Sequence, residues 1–308
     1  MAVQEKLKVW LQFARLPLYI FAFIAYSLGV AIAYAFGHFD ASVFFLGYIC
    51  LFLIELNTVF INEYFDYPTD LLNANLGPYT GGSGILVQGK LTLQEVRRGI
   101  YAVMVLIVIF GILLVCAAFV PLWSILALAV IGIVFSWGYT APPLKFCYRG
   151  LGEFVVGFTE GTASILAGFV LQTGEWLNPL PWAVSIPPFL SLIACGILGA
   201  LINYHSDGTV GKRTLPVLFG PRWAAILALC TLVLAAIVGV ALWLLQLIPN
   251  PVGAAMLIAV PVAVMFGRGV LKIIKRNEYD QPINELMRLS LNYIFIFEVI
   301  PLIAFLWG

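Results

Sequence analysis

Three stretches of this sequence hold residues whose type and spacing could do chemistry. The first is Asn62-Glu63-Tyr64-Phe65-Asp66-Tyr67-Pro68-Thr69-Asp70. Asn62, Asp66 and Asp70 stand four apart, so a helix through them puts an amide and two carboxylates on one face. Carboxylates stacked this closely repel one another unless a cation sits between them. Mg²⁺ carrying a phosphorylated ligand suits the pattern, because it takes one or two carboxylates and completes its shell with phosphate oxygens and water. An ordinary helix end dipping into solvent would carry the same residues, and the motif alone leaves both readings open.

The second stretch, Asn203-Tyr204-His205-Ser206-Asp207, repeats Asn-x-x-x-Asp 141 residues after Asn62 and Asp66. Gly208-Thr209-Val210-Gly211-Lys212-Arg213-Thr214-Leu215 follows directly, and Lys212 with Arg213 sets two cations beside the acids. A diphosphate asks for that company: metal bridges acid to phosphate while Lys and Arg bind the remaining oxygens. The third stretch is Tyr139-Thr140-Ala141-Pro142-Pro143-Leu144-Lys145, with Arg149-Gly150-Leu151-Gly152-Glu153 after it. Its prolines fix a turn, and Lys145 and Arg149 add positive charge. Gly81-Gly82-Ser83-Gly84 matches no P-loop or dinucleotide fingerprint; it reads as a hinge or as backbone N–H groups wrapping a phosphate.

The elements that must position these residues are membrane helices. The chain has 308 residues, 62% apolar and 10% charged, with a mean hydropathy of +1.03. A soluble domain carries about a quarter charged residues, so this is an all-α, polytopic membrane protein. A net charge of +1 gives no case for nucleic-acid binding. Five scattered cysteines show no metal spacing and read as core residues. No cleavable signal peptide is evident. Residues 1–17 read as an amphipathic surface helix ended at Pro17.

Apolar runs long enough to span a bilayer lie near 18–37, 41–62, 99–120, 122–141, 154–173, 182–203, 222–247, 251–267 and 286–307. Pro121 makes the third turn, Ile248-Pro249-Asn250-Pro251 the seventh, and Thr92-Leu93-Gln94-Glu95 reads as a capping box opening the third helix. With the N-terminus inside, the inner segments are 1–17, 63–98, 142–153, 204–221 and 268–285, and all sixteen Lys and Arg fall in or beside them. That bias sets a cytoplasmic N-terminus and brings every motif to the cytoplasmic face. Residues 1–308 then form a single transmembrane domain, with parallel pseudo-repeats at about 18–141 and 154–267 and a ninth helix at about 286–307. Glu55, Glu160 and Glu298 fall inside spans, where carboxyls are costly and face the bundle interior.

Taken together, Asn62-x₃-Asp66-x₃-Asp70, Tyr139-Thr140-Ala141-Pro142-Pro143 with Gly150-Leu151-Gly152-Glu153, and Asp207-x₃-Gly211-Lys212-Arg213-Thr214-Leu215 resemble the UbiA superfamily of intramembrane prenyltransferases over nearly the whole chain. The resemblance implies nine helices round a central cavity. It implies an isoprenyl diphosphate donor whose tail lies among the helices, and Mg²⁺ held by Asp66, Asp70 and Asp207. Lys212, Arg213 and Lys145 would neutralise the leaving diphosphate, and Tyr139, Tyr204 and many Phe would line a dry site for the allylic cation. Asn62 and Asn203 complete the expected substrate contacts. Two departures stand out. Asn203 replaces the aspartate usual at the head of the second motif, and Pro68 disfavours helical geometry at Tyr67, so Asp70 falls past an expected kink.

Gly-Leu-Gly-Glu and Gly-Lys-Arg-Thr-Leu look more like the branch that prenylates dihydroxynaphthoate for menaquinone. Acceptors of the 4-hydroxybenzoate, archaeal-lipid (geranylgeranylglyceryl phosphate), chlorophyll and haem O branches stay open. A cation-coupled transporter is the rival from another class, although its site would lie near the midplane between broken helices rather than at inner helix ends.

Overall fold

The computed structural model describes residues 3–72, 82–249, 252–279 and 281–307, without the side chains of residues 3 and 281–284. Gly77-Pro78, Gly81, Asn250 and Pro251 lie outside the described residues. Among those described, nine helices are long and apolar enough to cross a membrane: Leu16–Ala35, Ala41–Asp70, Leu93–Ala117, Leu122–Thr140, Gly152–Thr173, Pro179–Ile202, Pro221–Leu244, Val252–Arg276 and Glu285–Trp307. They are called the first to ninth spans here. Lipid offers no partner for a bare peptide group, so a chain this apolar must satisfy its backbone within helices.

The helix ends follow local chemistry. Thr92 caps the third span by accepting from the Glu95 N–H while Glu95 reaches back to the Thr92 N–H. Lys6 pairs with the same Glu95 at 2.5 Å and ties the N-terminal helix Val3–Ala14 to the bundle. Trp10 and Phe13 of that helix pack on Phe60 of the second span, with ring centroids 5.4 and 5.1 Å away. Leu7 and Leu11, on the same helix, stay exposed.

The second span runs on through Pro68 to Asp70 without the expected break. A proline this close to a C-terminus forfeits only its own N–H bond, and the Leu71 N–H still reaches the Tyr67 carbonyl at 3.1 Å. The fifth span is less regular. Gly157–Ala163 winds as a π-helix between the α-helical segments Gly152–Val156 and Ser164–Thr173.

Small residues let the spans approach. The sixth and seventh pack through Ala224, Ala225, Ala228, Ala235 and Ala236, all buried on one face of the seventh. The first and fifth touch backbone to backbone at Gly29 and Gly168: a Cβ on Gly29 would overlap the Ile165 carbonyl oxygen, and one on Gly168 the Tyr26 carbonyl oxygen. Gly168→Ala should force this pair apart and cost about 1–3 kcal/mol. Gly111→Ala, where the added Cβ meets nothing, serves as the control. The check is the thermal unfolding midpoint of each variant in detergent; an unchanged midpoint for Gly168→Ala would show the contact to be slack.

Candidate active site

Because the second span stays helical, Asn62, Asp66 and Asp70 share one face as their spacing requires, and both aspartates are buried. Asp66 is the hub. Tyr148 donates its hydroxyl to Asp66 Oδ1 at 2.8 Å, Lys212 Nζ reaches Oδ2 at 2.8 Å, and Asn62 Nδ2 reaches the same oxygen at 3.1 Å. Asn62 also donates to Thr140 Oγ1 at 3.2 Å, and Tyr148 shares a 3.3 Å hydrogen bond with Thr69. These donors arrive from three places in sequence: the second span itself, the turn after the fourth span, and the loop after the sixth.

The described part of the glycine cluster serves the acids. Ser83 donates its N–H and hydroxyl to Glu63, the Gly82 N–H donates to Asp70, and a Cβ on Gly82 would overlap the Asp70 carboxylate. Only glycine lets the loop close this tightly on that side chain.

The second motif is built differently from the first. The sixth span stops at Ile202, Asn203 bends the chain, and Asp207 lies on the separate short helix Tyr204–Thr209. The Asp207 carbonyl accepts from the Lys212 N–H at 2.9 Å, turning the chain so that Lys212 comes back over the acids. The loops after the fourth and sixth spans are then stitched together. Arg213 N–H donates to the Tyr148 carbonyl, and buried Glu153 accepts from the Leu215 N–H at 3.0 Å.

Burial pushes the Asp207 carboxyl up to about 6, against the pull of Lys212. Burial alone would lower the Lys212 ammonium, yet the carboxylates of Asp66 and Asp207 hold it well above its usual value. Burial and the Asp66 charge keep the Tyr148 phenol protonated.

Asn62, Asp66, Asp70, Tyr139, Asn203, Asp207 and Lys212 line one pocket of about 260 Å³, with Arg15, Gly82 and Glu153 also on its wall. Three of the residues expected to contact the diphosphate or the allylic cation, Lys145, Tyr204 and Arg213, are not among its lining. Arg213 is exposed, because neighbouring residues in extended backbone point opposite ways and Lys212 takes the inward place. Lys145 stands over the Tyr148 ring, 5.1 Å from its centroid, and Tyr204 packs edge-on to His205. Below this pocket lies an apolar chamber of about 460 Å³ that shares Arg15, Asn62, Tyr139 and Val156 with it.

The UbiA prenyltransferase family model matches residues 18–292. The chain belongs to the UbiA prenyltransferase family. It is a multi-pass integral membrane protein and an intramembrane prenyltransferase of that type. It is 28% identical over 279 residues to the 1,4-dihydroxy-2-naphthoate octaprenyltransferase of Escherichia coli, covering 87% of this chain and 86% of the relative. A structure described as concerning digeranylgeranylglyceryl phosphate synthase in membranes superposes with a TM-score of 0.66 at 20% identity, over 99% of this chain and 100% of the other. A UbiA homolog from Archaeoglobus fulgidus, solved with DMAPP and Mg²⁺, gives 0.59 at 16%, over 94% and 98%.

Within this UbiA-family fold, several polar residues at the pocket were not singled out by spacing. Tyr148, Thr140 and Glu63 act through contacts made only after folding. Arg15 looked like one charge of a surface helix, but at φ 52°, ψ 39° the chain turns at this residue and places it on the walls of both cavities. The chamber also departs from expectation. Phe135 and Tyr139 are the aromatic residues on its wall; the rest is mostly aliphatic. Many of the phenylalanines pack on one another instead, as Phe154 does face-on with Phe158 and edge-on with Phe189.

Asp207 gives this site a measurable signature. Its folded value near 6 exceeds the unfolded value of 3.8, so its contribution to stability is fully present below about pH 4 and is lost as pH rises through about 6. Asp207→Asn should therefore flatten the fall in unfolding midpoint between these limits, measured in detergent without divalent ions. Parallel pH curves for the variant and the wild type would contradict the burial of this carboxylate.

Proposed function

We propose that this chain transfers an isoprenyl group from an isoprenyl diphosphate to a hydroxylated aromatic acceptor of the dihydroxynaphthoate kind, at the cytoplasmic end of the bundle. The observation that carries this reading is the junction of the two cavities. A pocket holding Asp66, Asp70, Asp207 and Lys212 opens onto an apolar chamber, which is the shape of a diphosphate headgroup joined to a hydrocarbon tail. The name of the Escherichia coli relative supports the acceptor, the donor bound in the Archaeoglobus fulgidus homolog supports the diphosphate, and the one-sided Lys and Arg support the orientation.

The donor set fits Mg²⁺. Asp66, Asp70 and Asp207 offer hard carboxylate oxygens on two sides of one pocket. Among the described residues no three acidic, His or Cys side chains stand close enough to enclose an ion. Phosphate oxygens and water would then complete the shell, which is the ordinary habit of this ion. Held by these three residues, Mg²⁺ would supply charge stabilisation for the departing diphosphate.

The chain's own groups do the rest. Lys212 spends one N–H on Asp66 and keeps two donors for phosphate oxygens. Asn62 and Tyr148 fix the Asp66 carboxylate so that it need not reorganise as charge develops. The aliphatic chamber wall keeps water from the allylic cation until the acceptor attacks.

Purified protein given radiolabelled geranyl diphosphate, Mg²⁺ and a panel of acceptors should form a prenylated hydroxynaphthoate in a metal-dependent way. Asp66→Ala and Asp207→Ala should each lower turnover by more than about 100-fold, while Arg276→Ala, exposed at the end of the eighth span, should stay near wild type. Normal turnover by the Asp66 variant would remove the metal role assigned to it.

A further inference from the structure

Two carboxyls inside the bundle take no part in holding the diphosphate. Glu55 lies on the second span seven residues before Asn62, two helical turns or about 10 Å deeper in the chamber. It is 8% exposed, and its Oε2 has no partner. Its carboxyl shares a hydrogen bond with that of Glu160 on the fifth span, and both line the otherwise largely aliphatic wall.

The fifth span departs from α-helical winding at this same place. Glu160 sits in the middle of the π-helical stretch Gly157–Ala163, and π turns inside α-helices are frequent at functional sites. Gly157 and Gly161 back the widened turn closely against the Phe189 backbone of the sixth span. The extra residue per turn changes the register of Glu160, and its carboxyl meets Glu55. Glu298 provides the contrast: it is fully buried with both oxygens unpartnered, but it lines no part of the chamber.

Two carboxyl groups can hydrogen-bond to each other only through a proton. Such a pair keeps oxygens able to accept a second hydrogen bond, and both carboxyls belong to residues of the chamber wall, where Glu160 is only half-buried. We infer that Glu55 and Glu160 form the acceptor-side proton site, binding the acceptor's hydroxyl through a carboxylate oxygen of the pair and taking up its proton as the new C–C bond forms. This rests on the proposed transfer to a hydroxylated ring. The donor C–O bond breaks with its electron pair leaving on the diphosphate. The ring π pair forms the bond to the allylic carbon, the hydroxyl O–H pair becomes the carbonyl π bond, and the proton passes to the carboxylate. Tautomerisation, carrying hydrogen from the alkylated carbon to that oxygen, restores the hydroxyarene.

The test compares a hydroxylated acceptor with its O-methyl ether. Wild-type protein should form product from the ether about 100-fold more slowly, a readout that needs no variant. Glu55→Gln and Glu160→Gln should each lose about as much on the hydroxylated acceptor, with the donor KM unchanged and Glu298→Gln near wild type. An acceptor whose hydroxyl is made more acidic by ring fluorination should recover much of the Glu55→Gln loss, which a structural role would not produce. Equal wild-type rates on hydroxyl and ether, or wild-type rates in both glutamine variants, would overturn the inference while leaving prenyl transfer intact. Failure of wild-type protein to prenylate any hydroxylated acceptor would overturn the acceptor reading and this inference with it.

Discussion

The structure depends on one buried carboxylate. Asp66 lies at the motif-bearing end of a bundle whose surroundings offer little water, and an ionised group there is tolerable only when hydrogen-bonded and paired. Its donors come from Asn62 one turn earlier, Tyr148 after the fourth span and Lys212 after the sixth. Satisfying this charge therefore draws three separate segments onto one point. The loops reinforce the arrangement through Glu153 on Leu215 and Arg213 on Tyr148, contacts that use backbone N–H groups and so hold the loops whatever the exposed side chains do. The same interactions that fold this end of the molecule also assemble the pocket.

Helix spacing made the first motif legible, because a four-residue repeat on one span maps directly onto one face. Pro68 was misleading, since the cost of an interior proline fades once few hydrogen bonds remain to be lost. The second motif could not be read the same way. Asn203 and Asp207 keep the spacing of the first, but the sixth span ends between them and Asp207 reaches the pocket from a separate turn. Composition said that Lys212 and Arg213 were both cations, while the inward choice between them was set by strand-like alternation in a loop, which has no periodic signal. Tyr148 and Arg15 belong to the same class of blind spot: one is a tyrosine in a short turn, the other a charge placed by a single left-handed backbone residue.

Aromatic content was the least informative signal. With Phe 23 and Tyr 13 in the chain, an aromatic-walled chamber was a natural expectation. The rings pack chiefly with one another and across helix contacts, leaving Leu, Ile, Val and Ala at most of the chamber wall. An aliphatic wall suits a saturated or isoprenoid tail by area alone and imposes little register on its length. Phe135 and Tyr139 stand on the fourth span, and Tyr139 is also on the wall of the charged pocket. Ring faces are thereby available near the headgroup end, where an allylic cation would form, and are sparse deeper in.

The four residues common to both cavities mark where charge gives way to hydrocarbon. Arg15, Asn62, Tyr139 and Val156 come from the turn before the first span, the end of the second, the end of the fourth and the start of the fifth. A border built from four single residues is thin, so a substrate crossing it passes from charge to hydrocarbon over one layer of side chains. Above the border, cations and carboxylates favour a charge that grows on oxygen; below it, only Glu55 and Glu160 among the chamber's residues bring carboxyl groups. Breaking a C–O bond at such a border separates the two products of ionisation into the two media that suit them, with the diphosphate kept among fixed charges and the carbon fragment kept dry.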